Sequence, residues 1–254
     1  MSFGNLKRSQ PQRVRAVRPC ALIVFLVFLA GGPLLAEGPY LVSNRLDSVA
    51  LLAPPPAPQS QEQAADLASV RAAFQARSAA EEARAKADNN LSLFLFARAV
   101  GPELAPGKFP KTEALFKEVK KEIGEPIDVA KDHWKRLRPY QVDENLSFGW
   151  KEKSFSYPSG HATRGTVYAW LLAEIFPEHR EAVLQVGREI GWDRVLIGMH
   201  FPTDIQAGRV LGRAIVRELQ TSPAFQHDLA EAKAEAQATA RSQASEAKAA
   251  GAGQ

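Results

Sequence analysis

The chain has a single cysteine, Cys20, among its 254 residues, so no internal disulfide bridge can form. It also lacks the strict alternation of apolar and polar residues that predicts β-strands. After residue 36 the longest apolar stretch, residues 167–176, is too short to span a membrane and contains Glu174. With 45% hydrophobic and 24% charged residues, the composition excludes a collagen-like or wholly disordered chain. We therefore predict one all-α globular domain, built as a helical bundle.

The first 36 residues contain no acidic residue. Five basic residues end at Arg18, the apolar run Ala21–Ala30 follows, and small residues lead to Ala36. This pattern predicts a secretory signal peptide, residues 1–36, cleaved after Ala36, and a periplasmic or secreted protein; the alternative is a retained membrane anchor. The remaining chain has 27 basic and 28 acidic residues. The basic pI of about 9.2 therefore belongs to the leader, and nucleic-acid binding is not expected.

Three further regions follow the leader: a Pro-rich arm (37–59), a helical domain (60–222) and an Ala/Glu/Lys-rich tail (223–254) that is either helical or disordered. Asp88–Asn90 is expected to cap the helix that follows. Periodicity predicts helices over residues 62–86, 91–100, 112–123, 125–138 (ended by Pro139), 160–176, 179–197 and 202–219, with a loop over 140–157.

Charged groups interrupt helix faces that should be buried. Arg194 continues the face of Val183 and Ile190, and His161 begins the face of the helix after Ser159. Lys131 and Arg138, seven residues apart, are expected on one side of a helix, roughly 10 Å apart along its axis. A lone buried cation usually snorkels or pairs with a carboxylate. Several together predict an anionic ligand, because unpaired buried charge is costly.

Pro158-Ser159-Gly160-His161 predicts a seat for that anion. Ser159 is a good N-cap, and Gly160 lets the backbone approach a ligand closely. The free N–H groups and the dipole of the first helical turn attract a phosphate-like group.

His200 and Asp204 predict chemistry beyond binding. Gly198 suits a helix end and Pro202 a helix start, so His200 is expected in a tight turn between two helices. Asp204, four residues on, can then hold one ring nitrogen and leave the other as a nucleophile. The alternative is an N-capping Asp beside a structural His.

Lys131 with Arg138-Pro139, Pro158–His161, and Arg194 with His200 and Asp204 together resemble the three-part signature of the type 2 phosphatidic acid phosphatase superfamily. The leader and the size resemble the bacterial class A non-specific acid phosphatases within it, an all-helical group. The resemblance implies that His200 attacks phosphorus, Asp204 orients it, and His161 is the general acid and base. It also implies that Lys131, Arg138, Arg194, Ser159 and Gly160 bind the phosphate, with no metal and no cofactor.

The resemblance implies a secreted acid phosphatase that hydrolyses small phosphate monoesters, nucleotides included, and forms a homo-oligomer. Three other functions remain open: a vanadium-dependent haloperoxidase, a lipid phosphate phosphatase and a non-catalytic phosphate-binding protein. The family usually has Ser before the arginine of the third motif, where this chain has Asp193. Asp193 is expected to pair with Arg194 or Lys131, or to face solvent.

The remaining aromatic and histidine residues are read as follows. Aromatic residues of the 140–157 loop either stack on a leaving group or simply pack: Tyr140, Phe148, Trp150, Phe155 and Tyr157. His133, His179 and His227 are predicted to lie at the surface.

Overall fold

The computed structural model describes Met1, residues 40–41 and residues 45–251. The predicted signal peptide, except Met1, therefore lies outside the described residues, as does Cys20. The described residues contain α-helices and short 3-10 turns and no β-strand, which confirms the all-α prediction. Within these residues no helix has the length and apolar character to span a bilayer.

The described α-helices vary from single turns to a C-terminal helix of 29 residues. They are Ser48–Leu51 (α1), Gln61–Ala76 (α2), Ala79–Ala87 (α3), Ala97–Val100 (α4), Pro110–Glu122 (α5), Gly124–Trp134 (α6), Pro139–Val142 (α7), Gly160–Ile175 (α8), Arg180–Leu196 (α9), Pro202–Leu219 (α10) and Pro223–Gly251 (α11). Short 3-10 turns cover Leu93–Phe96, Glu144–Leu146 and Pro177–His179.

Helix α8 is the centre of the fold and packs against both α9 and α10. Leu171 and Leu172 are fully buried, each stabilising the fold by about 1.5–3 kcal/mol. Close approach of α10 requires Gly208, since a Cβ there would lie 2.6 Å from the carbonyl oxygen of Ser159. This contact brings the start of α8 against the first half of α10, so residues of the second and third motifs become neighbours.

The C-terminal tail, predicted to be either helical or disordered, forms helix α11 as far as Gly251. It packs on α5, and the Glu235 carboxylate accepts hydrogen bonds from the backbone N–H groups of Lys111 (2.9 Å) and Thr112 (3.0 Å). These groups are unpaired donors in the first turn of α5, so Glu235 caps that helix. Residues 252–254 lie outside the described part.

Three helix predictions need correction. The predicted 62–86 helix is broken at Arg77, because Ser78 starts α3 with a capping box to Glu81. Asp88 does not cap the next helix; it ends α3, and its carboxylate pairs with Arg98. The 91–100 segment is a 3-10 turn followed by one α-helical turn.

The helix that carries Lys131 also ends earlier than predicted, at Trp134 rather than before Pro139. Lys135 takes a left-handed conformation (φ 47°), which stops α6, and Pro139 instead opens α7. Lys131 and Arg138 therefore do not share a helix face.

Candidate active site

One cavity of about 150 Å³ brings together the side chains singled out in three separate parts of the sequence. Lys131, Arg138, His161, Arg194 and His200 all line it, and so does Gly160. The other lining residues were not predicted from the sequence: Ile127, Asp128, Glu152, Ser154 and Arg164. Ser159 and Asp204 are buried but do not line the cavity.

His200 lies in the turn between α9 and α10, as the Gly-Met-His-Phe-Pro sequence predicts. Gly198 has a φ of 68°, a left-handed conformation that glycine adopts without strain. On either side of His200, Met199 and Phe201 are fully buried, which anchors the turn in the core. The imidazole ring is consequently held between Asp204 behind it and the cavity in front.

The two ring nitrogens of His200 have different partners. Nδ1 lies 3.4 Å from Asp204 Oδ2 and 3.3 Å from the Ser156 hydroxyl. Nε2 lies 3.1 Å from Nη1 of Arg138, which can only donate. This network assigns the proton to Nδ1 and the lone pair to Nε2, on the side that faces the cations.

Asp204 is held by more groups than sequence reasoning found. Its Oδ1 accepts from Arg136 Nη1 at 2.6 Å, and its Oδ2 accepts from the Ser156 hydroxyl at 2.6 Å and from the Phe201 N–H at 2.8 Å. Arg136 also pairs with Asp66 of α2 at 2.8 Å. Local sequence patterns do not indicate these partners, because Asp66 is 70 residues from Arg136 and Arg136 is 68 residues from Asp204.

Arg138 enters the cavity from an extended residue (φ −80°, ψ 157°), as expected for a residue before proline. Its Nε donates to the carbonyl oxygen of Ser154 (2.9 Å), and its Nη1 donates to that of Met199 (3.0 Å). Lys131, from α6, donates to the carbonyl oxygen of Phe155. The two cations thus meet through tertiary contacts rather than a shared helix.

Arg194 is almost fully buried at the end of α9. Its Nη2 donates to Oδ1 of Asn89 at 3.1 Å, whereas its Nε and Nη1 are buried and have no partner among the described residues. A buried guanidinium with free donors needs an acceptor, and this one lines a cavity that is also lined by three other cationic side chains, Lys131, Arg138 and Arg164. A tetrahedral oxyanion supplies such acceptors.

His161 stands in the first turn of α8, where the Ser159 hydroxyl accepts from the Ala162 N–H. Its Nε2 lies 3.1 Å from the carbonyl oxygen of Asn89, which can only accept. Neutral His161 therefore carries its proton on Nε2, and Nδ1 is the nitrogen that gains or loses a proton. Asn89, just after the end of α3, thus contacts both His161 and Arg194. It was not identified as a site residue from the sequence.

Burial and mutual repulsion lower the pKa of the basic groups around the cavity. For Lys131, burial and then Arg138 lower the pKa to about 7. For His161, burial and then Arg194 lower the pKa to about 3. The pKa of His200 is lowered well below its ordinary value by burial and then by Arg138 and Lys131. His200 is consequently neutral over a wide pH range, as a nucleophile must be.

Asp193 neither pairs with Arg194 or Lys131 nor faces solvent, so both expectations for it were wrong. It is fully buried and pairs with Arg84 of α3, with contacts of 2.8 and 2.9 Å to the two guanidinium nitrogens. Burial raises the pKa of Asp193 to about 6, opposed by Arg84 and assisted by nearby Asp88. The departure from the usual Ser therefore ties α9 to α3 and leaves Arg194 free for the cavity.

The aromatic loop residues pack rather than line the cavity. Phe148 and Trp150 meet edge to face with centroids 5.2 Å apart, and Tyr157 is buried in the main core. The loop contributes Glu152 and Ser154 to the cavity instead. Of the other histidines, His133 is exposed, and His179 and His227 are half-buried; none of them lines the cavity.

Comparison with known proteins gives matches over the same region. The family described as the PAP2 superfamily matches residues 123–225. An acid phosphatase of Zymomonas mobilis is 31% identical over 198 residues, covering 74% of this chain and 75% of the relative. A non-specific acid phosphatase of Providencia stuartii is 30% identical, with 76% and 82% covered. A non-specific acid phosphatase of Salmonella typhimurium is 34% identical over 169 residues, covering 63% of this chain and 65% of the relative.

Proposed function

Because the chain belongs to the PAP2 superfamily and is an acid phosphatase, we propose that it cleaves phosphate monoesters through a phosphohistidine on His200, without a metal ion. The strongest support for this proposal is the orientation of the two ring nitrogens of His200. The lone pair on Nε2 of His200 faces the buried cations, while Nδ1 faces a carboxylate that is itself fixed by Arg136 and Ser156.

In the first step, Nε2 of His200 donates its lone pair to phosphorus and the ester P–O bond breaks. Protonated His161 gives its Nδ1 proton to the leaving oxygen. The positive charge that develops on the His200 ring is stabilised by Asp204 through Nδ1–H. Arg138, Arg194 and Lys131 bind the non-bridging oxygens and neutralise their charge, which is the role that metal ions have in other phosphoryl-transfer enzymes.

In the second step, a water molecule attacks phosphorus of the phosphohistidine. His161 takes a proton from that water through Nδ1, the P–N bond breaks, and its electron pair returns to Nε2 of His200. Phosphate leaves and the starting state is restored. Because the phosphate brings negative charge beside His161, substrate binding is expected to raise the pKa of that residue from its low value, so that it is protonated in mild acid.

The intermediate can be tested directly by mixing the protein with ³²P-labelled phenyl phosphate and quenching in alkali, since phosphohistidine is labile in acid. The label is expected on the peptide that contains His200. His200→Ala should remove the label and lower turnover of p-nitrophenyl phosphate by at least about a thousandfold. His133→Ala is the matched control, because this exposed histidine is outside the cavity. Label retained in His200→Ala would contradict the proposal.

Metal independence has a separate test. Turnover measured after dialysis against a chelator is expected to equal that of the untreated protein. Activity that is lost on chelation and restored by an added divalent cation would contradict the metal-free mechanism while leaving the phosphohistidine intact.

The remaining parts of the proposal concern substrates, location and assembly. We propose that small phosphate monoesters, nucleotides included, are the substrates, that the chain is exported to the periplasm or secreted after cleavage at Ala36, and that it forms a homo-oligomer. A substrate panel, N-terminal sequencing of the exported protein and light scattering of the purified chain test these three statements separately.

A further inference from the structure

A second cationic cavity, of about 330 Å³, lies in the groove between α8, α9 and α10. Arg188, Arg209 and Arg213 line it, beside Trp170. It shares no lining residue with the catalytic cavity, and no step of the proposed reaction uses it. A fourth cation, Arg180, contacts Trp170, with its guanidinium carbon 5.6 Å from the centre of the ring.

The arginines of this cavity lack the carboxylate partners that several other arginines of the fold have. Arg84, Arg98 and Arg136 each hold a buried carboxylate at 2.8 Å. Across residues 45–251, by contrast, no ion pair within 4.0 Å involves the three lining arginines. Arg188 donates only to Gln185, through Nε at 2.9 Å. The groove therefore concentrates positive charge in a chain that is close to neutral after residue 36.

Arg209 shows the cost of this arrangement. Its Nε is buried and has no hydrogen-bond partner among the described residues, and its Nη2 reaches only the backbone oxygen of Arg188, at 3.3 Å. Burial, and then Arg188 and Arg213, lower the pKa of its guanidinium, with no carboxylate opposing them. Arg209 is half-buried, and a partly desolvated charge without a counterion is unfavourable, so an anion bound in the cavity would reduce that penalty.

We propose that the cavity lined by Arg188, Arg209 and Arg213 is a second phosphate-binding site, separate from the catalytic one. Guanidinium groups bind phosphate oxygens through paired N–H donors, and three of them match the several acceptor oxygens of one phosphate. The phosphate belongs either to free inorganic phosphate, which is the product of the reaction, or to an anionic lipid headgroup. This inference does not rest on the phosphohistidine mechanism.

Calorimetric titration of the full chain with inorganic phosphate tests the first source. The wild type is expected to bind two phosphates, one of which competes with p-nitrophenyl phosphate. Arg188→Gln/Arg213→Gln changes two exposed side chains, so folding should be preserved, and it should weaken the non-competing phosphate at least about tenfold. Arg209→Gln should do the same. The control, Arg241→Gln/Lys248→Gln, removes two charges from exposed positions of α11 and should bind like the wild type.

Co-sedimentation with vesicles tests the second source. Binding to phosphatidylglycerol vesicles but not to phosphatidylcholine vesicles, lost in Arg188→Gln/Arg213→Gln and kept in the control, would assign the site to a lipid headgroup. The proposal is overturned if neither a second phosphate nor vesicle binding depends on the three arginines. Since phosphohistidine labelling is measured separately, failure here leaves the catalytic mechanism untouched.

Discussion

Arg136 and Asp204 form a buried ion pair, with Nη1 2.6 Å from Oδ1, directly behind His200, which lines the candidate catalytic cavity. The pair leaves Oδ2 of Asp204 to the Ser156 hydroxyl and to Nδ1 of His200. Arg136 itself is braced by Asp66 and by the ring of Phe201, 4.0 Å from its guanidinium carbon. The orientation of the proposed nucleophile thus depends on a residue that does not touch the cavity.

Arg136→Gln is expected to lower kcat for p-nitrophenyl phosphate by about ten- to a hundredfold, the range found for outer-shell partners of metal ligands. The inhibition constant of phosphate should change little, because Arg136 does not line the cavity. Arg136→Lys should recover part of the kcat, since it restores a charge beside Asp204. Steady-state kinetics with phosphate as inhibitor checks this, and an equal loss in kcat and in phosphate affinity would count against a positioning role.

Lys131→Arg is expected to extend activity to higher pH. The pKa of Lys131 is lowered to about 7, so the free protein loses this positive charge as the pH rises through 7. An arginine stays charged there. The pH profile of kcat/KM, which reports the free enzyme, should therefore fall at higher pH in Lys131→Arg than in the wild type. Titration of the substrate is common to both proteins, so identical profiles would show that Lys131 does not set the alkaline limit.

Stability without phosphate should fall as the pH drops from about 6.5 toward 3. His161 has a folded-state pKa of about 3 against an ordinary value of 6.5, so the unfolded chain binds more protons in this window. His200, whose pKa is also lowered, acts in the same direction. Urea unfolding at pH 7 and pH 4.5 should show a smaller loss of stability for His161→Asn than for the wild type. A loss of equal size would mean that His161 titrates normally.

Arg84→Ala should lower the unfolding free energy more than Asp193→Ser does. Removal of Arg84 leaves the fully buried Asp193 carboxylate without its counterion, whereas removal of Asp193 leaves an arginine that is already 31% exposed. We expect Arg84→Ala to cost about 2 kcal/mol of unfolding free energy, less than for a fully buried pair, because solvent screens Arg84. The double variant Arg84→Ala/Asp193→Ser should recover most of the unfolding free energy that Arg84→Ala loses, as measured by urea unfolding. A double variant that is less stable than Arg84→Ala would show that the unpaired Asp193 carboxylate is not the cause of the lost stability.

The proposed catalytic residues could be identified from the sequence because each lies in a local pattern that short-range interactions determine. Ser159-Gly160-His161 starts a helix, and Gly198 and Pro202 place His200 in a turn, with Asp204 one helical turn beyond it. The helix that carries Lys131 was placed wrongly at its C-terminal end. Its stop depends on a left-handed Lys135, and no residue-type preference signals that conformation at a lysine.

The sequence by itself determined the all-α fold and identified five of the polar side chains that line the cavity, since helical periodicity and the cost of burying charge act within one or two turns. Only the tertiary structure decided their partners: Arg136 on Asp204, Asn89 on His161 and Arg194, and Arg84 on Asp193. It also left Arg188, Arg209 and Arg213 together without a carboxylate. These relationships join residues from separate helices, and a one-dimensional pattern carries no information about which distant helices pack together.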